Sequence, residues 1–338
     1  MKTVFIVDDS LTNLAVAKNA LDETYKAYAL SSAERMFKLA VKITPDIILL
    51  DVDMPKMDGF EAIKILKSDA KLKSIPVIFL TSRNDVETEL LGFELGAHDF
   101  INKPFSPAIL IRRIESHLET DRLIKKSQKA LIDMHNATIS VLANMVETRD
   151  KVTGDHVDRI QIYLELLING LISSGTYADI ILSWDLKVLI PSAQLHDVGK
   201  ISVSDLILNK PGKLTDKEFD LVKLHCTVGE EIIDYIINKT QDDVFLIHAK
   251  RFAGYHHEKW DGSGYPRGLS GHDIPLEGRI MAIVDVYDAL VTERPYRKPI
   301  SHVQVMDIVK NSSGTHFDPQ IVDAFLNIEN EVYKVSNN

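Results

Sequence analysis

The stretch Asp46-Ile47-Ile48-Leu49-Leu50-Asp51 decides the fold of the first third of this 338-residue chain. Four consecutive aliphatic residues closed by aspartates read as a strand buried on both faces, as in a parallel sheet covered by helices. Working outward, Val4-Phe5-Ile6-Val7 ends in Asp8-Asp9, and Pro76-Val77-Ile78-Phe79-Leu80 ends in Thr81-Ser82. Asp99-Phe100-Ile101-Asn102 leads into Lys103-Pro104. Helical patterns fill the gaps, from Leu11 to Leu21, Ala33 to Lys42, Phe60 to Ser68 and Val86 to Leu95. Strands alternating with helices of this length give right-handed crossovers and a doubly wound α/β sheet. In such sheets the functional crevice lies at the carboxyl ends of the strands. Asp8, Asp9, Asp51, Thr81 and Lys103 all fall there. Three converging carboxylates repel one another unless a divalent cation sits among them, and Mg²⁺ suits an all-oxygen site. Asp51, at a strand tip, is then free to act as a nucleophile toward phosphorus.

Composition bounds the rest. Hydrophobic residues make up 45% and charged residues 26% of the chain, a globular profile. The length is that of two domains. A net charge of −10 argues against a general affinity for nucleic acid or anionic membranes. No basic helical tail follows the first domain, so direct DNA binding is not expected. The single cysteine, Cys226, excludes an intrachain disulfide and fits a reducing compartment. No run approaches the roughly 18–20 apolar residues of a membrane span, so no membrane insertion is expected and the expected location is the cytoplasm.

Residues 1 to about 120 resemble a response-regulator receiver domain. The resemblance rests on Val7-Asp8-Asp9, on Asp51-Val52-Asp53-Met54-Pro55-Lys56-Met57-Asp58-Gly59, on Thr81-Ser82 and on Lys103-Pro104-Phe105. It implies a five-stranded parallel sheet and phosphorylation of Asp51 by a cognate histidine kinase. It also implies Mg²⁺ on Asp8, Asp9, Asp51 and the backbone carbonyl of Asp53. Thr81 and Lys103 would meet the phosphoryl group, and Phe100 would be the aromatic that changes rotamer with phosphorylation.

No glycine or proline interrupts Ala108 to Asp150. Leu131, Met134, Thr138, Val141 and Met145 recur at near-heptad spacing, which predicts one continuous helix leaving the receiver. Paired across two chains it would form a short coiled coil and a homodimer; unpaired, with Lys125 and Gln128 breaking the seam, it reads equally as a solvated, charged single helix. The expected division is a receiver at 1–120, a helical connector at 121–138 and a second domain at 139–338.

The second domain reads as all-helical, with loops at Lys210-Pro211-Gly212 and from Trp260 to Gly268. An apolar helix from Leu186 to Leu195 leads into His196-Asp197-Val198-Gly199-Lys200. At long range stand His156 at a helix start, His225 after a helix from Asp216 to Leu224, His256-His257-Glu258, and Asp285. Five histidines and two aspartates exceed what one tetrahedral ion needs. They suggest two ions about 3.5–4 Å apart with Asp197 between them. A mixed imidazole and carboxylate set favours Fe or Mn, then Ni or Zn, over Mg. The remaining histidines, among them His248 and His316, read as core or surface residues, and Cys226 as a packed small side chain. Asp288 is expected to support a ligand, and Glu258 either holds a histidine or is solvated.

Residues about 136 to 330 resemble an HD-GYP domain of the HD phosphohydrolase superfamily. The matching residues are Glu147-Thr148-Arg149-Asp150 with Gly154 and His156, His196-Asp197 with Gly199-Lys200, Lys210-Pro211-Gly212 and His225. They continue through His256-His257-Glu258 and Trp260-Asp261-Gly262-Ser263-Gly264-Tyr265-Pro266, then Asp285, Asp288 and Arg294-Pro295-Tyr296-Arg297. The resemblance implies hydrolysis of cyclic di-GMP to pGpG and in some members onward to GMP. It gives one metal His156, His196, Asp197 and Asp285, and the other Asp197, His225, His256 and His257. Lys200 would stabilise the scissile phosphate, Arg294 and Arg297 would hold phosphate oxygens, and Gly264, Tyr265 and Pro266 would shape the pocket. Members with a third metal carry a glutamate where this chain has Val152, so two ions are expected. Two rival readings stand beside this one: an HD hydrolase of another nucleotide phosphate, and a non-catalytic signalling adaptor.

Overall fold

The structure, a computed structural model, describes residues 1–82, 86–150, 156–240, 244–292 and 298–336. The chain divides into two compact units, residues 1–131 and 132–338. In the first, strands β1 (Thr3–Val7), β2 (Lys26–Leu30), β3 (Ile47–Asp51), β4 (Val77–Thr81) and β5 (Asp99–Asn102) form one sheet. Its order is β2-β1-β3-β4-β5 and every pairing is parallel. Helices α1 (Leu11–Leu21), α2 (Ala33–Ala40), α3 (Gly59–Ser68) and α4 (Val86–Glu94) alternate with the strands.

β3 is buried along its whole length, which is why its sequence is a continuous aliphatic run rather than an alternating one. Phe5, Leu50 and Phe79 pack on one face with Met36 and Ile63 of α2 and α3. Ile6, Leu49 and Leu80 pack on the other with Leu14 of α1 and with Leu110 and Ile114 of the helix after β5. The sheet order reverses at β1, so the ends of β1 and β3 flank the crevice where doubly wound sheets hold their ligands. α3 starts on a capping box between Asp58 and Glu61. Gly59 follows because a Cβ there would run into the Asp51 carbonyl oxygen. β2 carries no aliphatic run: Lys26-Ala27-Tyr28-Ala29-Leu30 lies at the sheet edge and is only partly covered.

α5 (Pro107–Glu147) is one unbroken helix of 41 residues, as the lack of glycine and proline predicts. Its seam residues Leu131, Met134, Val141 and Met145 are exposed.

In the second unit the helices are α6 (His156–Ser174), α7 (Ala178–Ile181), α8 (Leu186–Ser192), α9 (Asp205–Leu208) and α10 (Asp216–Thr240). They continue as α11 (Val244–Tyr255), α12 (Leu276–Val291), α13 (His302–Asn311), α14 (Pro319–Asn327) and α15 (Glu329–Ser336). Ile160, Tyr163, Leu164 and Leu167 form the inner face of α6 at helical spacing. They pack with Ile280, Ile283, Val284 and Tyr287 of α12 and Phe325 of α14. Two expectations need correction. α8 ends at Ser192 rather than Leu195, and short 3₁₀ turns follow at Ala193–Leu195 and Val198–Ser202. α10 does not stop at Leu224 but carries His225 in its middle, because no proline or turn sequence interrupts it before Thr240. No helix among the described residues is long and apolar enough to cross a membrane.

Candidate metal centre and receiver site

In the first unit the carboxylates meet as expected. Asp8, Asp9 and Asp51 offer oxygens within 4.8 Å of one another. Lys103, just past β5, donates to Asp8 Oδ2 at 2.7 Å and to Asp51 Oδ1 at 2.8 Å. The Asp53 N–H donates to Asp51 Oδ1 at 3.4 Å. Asp8 also accepts from Ser10 N and Asn13 Nδ2. Burial pushes Asp51 above the usual carboxylate range despite its contact with Lys103. Thr81 is buried at the tip of β4. Phe100 packs inward, its ring 5.3 Å from that of Phe79 and 5.1 Å from that of Phe93.

In the second unit four histidines share one wiring scheme. His156 Nδ1 lies 2.6 Å from Asp288 Oδ2. His196 Nδ1 lies 3.0 Å from Ala193 O, His225 Nδ1 2.6 Å from Val222 O, and His256 Nδ1 2.8 Å from Phe252 O. Each Nδ1–H donates to an oxygen, which makes Nε2 the atom turned to the centre and fixes its direction. The Nε2 atoms turn to a common region. That of His196 is 3.2 Å from Asp197 Oδ2, and those of His225 and His256 are 3.3 Å and 3.8 Å from Asp197 Oδ1. His156 Nε2 faces Asp285 Oδ1 at 3.9 Å. His257 lies against His256, ring centroids 4.0 Å apart.

Local sequence sets these directions. Gly199 packs where a Cβ would run into the His225 carbonyl oxygen, so the turn after His196-Asp197 sits tight on α10. Lys200 then reaches back to Asp197 Oδ2 at 2.8 Å. Asp285 and Asp288, three residues apart on α12, serve the centre from one helix face. Asp288 is itself held by Arg159, whose Nε donates at 2.6 Å. The expectation that Asp288 supports a ligand matches this geometry.

The electrostatics follow. Burial raises the cost of charge on Asp197, but Lys200, His196 and His225 more than offset it and hold it well below the usual carboxylate range. Burial also opposes charge on His196, yet Asp197, Asp285 and Glu147 push it up to about 9. Burial drives His256 down to about 4. The pull on His196 reports a negative field at the point where the donors converge, and a cation is favoured there. His196 Nε2, Asp197 Oδ1 and Glu147 Oε2 are buried without hydrogen-bond partners among the described residues. Imidazole nitrogens and carboxylate oxygens left over in one place fit divalent transition metals. Two groups of donors each gather within 4.8 Å: Glu147, His156, His196 and Asp197, and His225, Cys226, His256 and His257.

A cavity of about 440 Å³ opens onto the centre, with Asp197, Lys200, His225, His257, Tyr265 and Asp285 among its walls. Tyr265 stands 4.8 Å from His257, ring to ring, and its N–H donates to His257 O at 3.1 Å. Gly264 and Pro266 flank Tyr265 in the loop. Glu258 does not face solvent, and among the described residues its hydrogen bonds go to backbone N–H groups rather than to a histidine. It is buried and accepts from Arg267 N at 2.7 Å and Leu269 N at 3.0 Å, so it anchors that loop. His248 pairs with Glu277 at 2.9 Å, away from the centre. Arg294, Arg297 and Val152 lie outside the described residues.

Two residues near the centre were not read as donors from the sequence. Cys226 is buried with Sγ 3.5 Å from His225 Nε2, and burial pushes its thiol up. Glu147 is buried beside His156. A signal for it exists: Ile139, Ala143 and Val146 are buried at helical spacing on α5, and Glu147 continues that face.

A receiver-domain family model matches residues 4–115 and an HD-domain model matches residues 179–321. The chain is 39% identical to the Vibrio cholerae serotype O1 protein named "Probable cyclic di-GMP phosphodiesterase", over 96% of this chain and 77% of the relative. It is 31% identical to "Cyclic di-GMP phosphodiesterase response regulator RpfG" of Xanthomonas campestris pv. campestris, over 96% and 86%. The chain belongs to the HD-domain response regulators. A "3'3'-cGAMP-specific phosphodiesterase 2" of Vibrio cholerae serotype O1 is 41% identical, but over 55% of this response regulator and 33% of the relative. His156 and Glu147 lie upstream of the stretch that the HD model matches.

Proposed function

We propose that this response regulator is a metal-dependent phosphodiesterase that opens cyclic di-GMP to linear pGpG under control of Asp51 phosphorylation. One observation carries the reading. Four histidines have tethered Nδ1 atoms, three of them turning Nε2 toward Asp197 and His156 toward Asp285, beside Lys200 at the wall of a cavity of about 440 Å³. His156, His196, Asp197 and Asp285 would hold one divalent transition metal, and Asp197, His225, His256 and His257 a second, with Fe or Mn favoured over Ni or Zn. Such a pair supplies Lewis acidity toward the phosphate and lowers the pKa of water. Asp197 joins the two donor sets. Lys200 presents a cation to the scissile phosphate, and the Gly264-Tyr265-Pro266 loop, anchored by Glu258, shapes the pocket. Arg294 and Arg297 would hold phosphate oxygens through their fixed fork of donors.

In the receiver, Mg²⁺ would sit on Asp8, Asp9, Asp51 and the Asp53 carbonyl. Lys103 and Thr81 would meet the phosphoryl group delivered by a histidine kinase, and Phe100 would report its arrival. The relatives' printed names support the substrate assignment. The test is a panel of cyclic di-GMP, 3'3'-cGAMP and a linear alarmone with metal-loaded full-length protein. Cyclic di-GMP is expected to be cleaved fastest, with pGpG as the main product. Faster cleavage of 3'3'-cGAMP would reassign the substrate, and equal slow turnover by wild type and His196→Ala would leave a non-catalytic adaptor. Equal turnover with and without a phosphoryl mimic on Asp51 would remove the regulatory part.

A further inference from the structure

The end of α5 carries a donor that the two ligand sets above leave unused. Glu147 closes that helix and is 3% exposed. Its Oε1 lies 3.9 Å from His156 Nε2. Its Oε2 is buried and has no hydrogen-bond partner among the described residues. A carboxylate oxygen in that condition is unfavourable unless a cation meets it. One ligand atom each from Glu147, His156, His196 and Asp197 lie within 4.8 Å of one another. The carboxylate therefore stands in the same small volume as three donors already assigned to one ion.

The position is enforced from outside the centre. Arg149, two residues on, donates to Ile201 O and Val203 O at 2.9 Å each and to Asp205 Oδ1 at 3.0 Å. Asn209 Nδ2 donates to the Arg149 carbonyl at 2.8 Å. Those carbonyls belong to the segment that follows Lys200, so the end of α5 is fastened to the wall of the site. Ile139, Ala143 and Val146 bury the same helix face. A helix end fixed only for stability would sit as well with an apolar residue here. This one holds a buried carboxylate with an oxygen that no described residue meets.

We propose that Glu147 ligates the metal held by His156, His196 and Asp197, adding an oxygen donor to the seven read from the sequence. The proposal rests on the metal-dependent reading above. An added carboxylate tilts the set toward harder ions such as Mn²⁺ and Fe²⁺ over thiolate-preferring ones.

The test compares full-length wild type with Glu147→Gln, which keeps the shape and removes the charge. Chelator-stripped protein is titrated with Mn²⁺ by calorimetry, and melting is followed with and without Mn²⁺. The expected result is a Mn²⁺ affinity roughly 10–100-fold weaker at one site in Glu147→Gln. In chelator the variant should melt at or above the wild-type temperature, and its gain on adding Mn²⁺ should be smaller. A purely structural Glu147 would instead lower melting equally in both conditions, and that outcome overturns the proposal. Unchanged Mn²⁺ affinity and stoichiometry in Glu147→Gln overturns it as well, while leaving the parent reading intact. Wild type that takes up no Mn²⁺ sinks both. Glu147→Ala serves as a second variant and should weaken Mn²⁺ at least as much.

Discussion

The molecule holds two buried acidic centres, and they are balanced in different ways. In the receiver, Lys103 bridges Asp8 and Asp51, and Asn13 and backbone N–H groups take the remaining Asp8 contacts. Burial works to lower Lys103, but the hydrogen bonds to Asp51 and Asp8 more than offset it and hold it above the ordinary lysine range. In the HD unit, Lys200 meets Asp197, yet His196 Nε2, Asp197 Oδ1 and Glu147 Oε2 have no hydrogen-bond partner among the described residues. Every buried side-chain polar atom without a partner, among the described residues, lies in the second unit. The receiver centre is thus closed by the protein's own cation, which suits the reversible ion and phosphoryl group of the proposed function. The HD centre is built with donors in excess, which suits ions that stay and work.

That contrast can be broken most severely at Lys103. Lys103→Met leaves two buried carboxylates facing each other and should cost the receiver about 3–5 kcal/mol in chemical denaturation. Added Mg²⁺ should recover part of the loss. A receiver as stable as wild type without Mg²⁺ would show that the lysine is not what closes the site. The matching change, Lys200→Met, should act on rate instead. In metal-loaded protein kcat for cyclic di-GMP should fall roughly 10²–10³-fold, about 2.7–4 kcal/mol of transition-state stabilisation. Melting should stay near wild type. A large melting loss with unchanged kcat would make the two lysines alike and remove the distinction.

Asp288→Asn probes the tether beneath a donor. It leaves His156 in place but weakens the Nδ1 contact and the Arg159 pair, and metal affinity should drop roughly 10–100-fold by competition with a chelating dye. Unchanged affinity would mean that His156 needs no orientation. The smallest effect is expected at Glu258→Gln, which puts an amide where two backbone N–H groups of the Tyr265 loop now find carboxylate oxygens. It should cost about 1–3 kcal/mol of stability and raise KM more than it lowers kcat. A change confined to kcat would place Glu258 in the chemistry rather than under the loop.

Much of this was legible from local pattern. Aliphatic runs ending in Asp8, Asp51 and Thr81 located the receiver crevice because a parallel sheet puts strand tips together whatever the loops do. The unbroken α5 followed from residues that lack any helix breaker. The HD histidines were legible because their donors are chemically distinctive at any distance. The edge strand β2 was not legible from its residues, since Lys26-Ala27-Tyr28-Ala29-Leu30, with three half-buried and two exposed positions, carries no buried run. His225 was expected past a helix end at Leu224, whereas apolar residues such as Val228, Ile233 and Ile237 continue the helix, which packs on α11 and runs to Thr240. Glu258 and Glu147 share a cause. The sequence left Glu258 between holding a histidine and facing solvent and assigned Glu147 no donor role, and tertiary contacts show one anchoring a loop and the other buried beside His156.

The central claim is that the excess donors of the HD unit hold metal that hydrolysis requires. Its most direct test is the initial rate of pGpG formation from cyclic di-GMP by full-length protein, after chelation and then across a titration of Fe²⁺ or Mn²⁺. The account predicts a rate lost on chelation and restored with two ions per chain in wild type, and no restoration in His196→Ala. A stripped protein that hydrolyses as fast as the loaded one would contradict it.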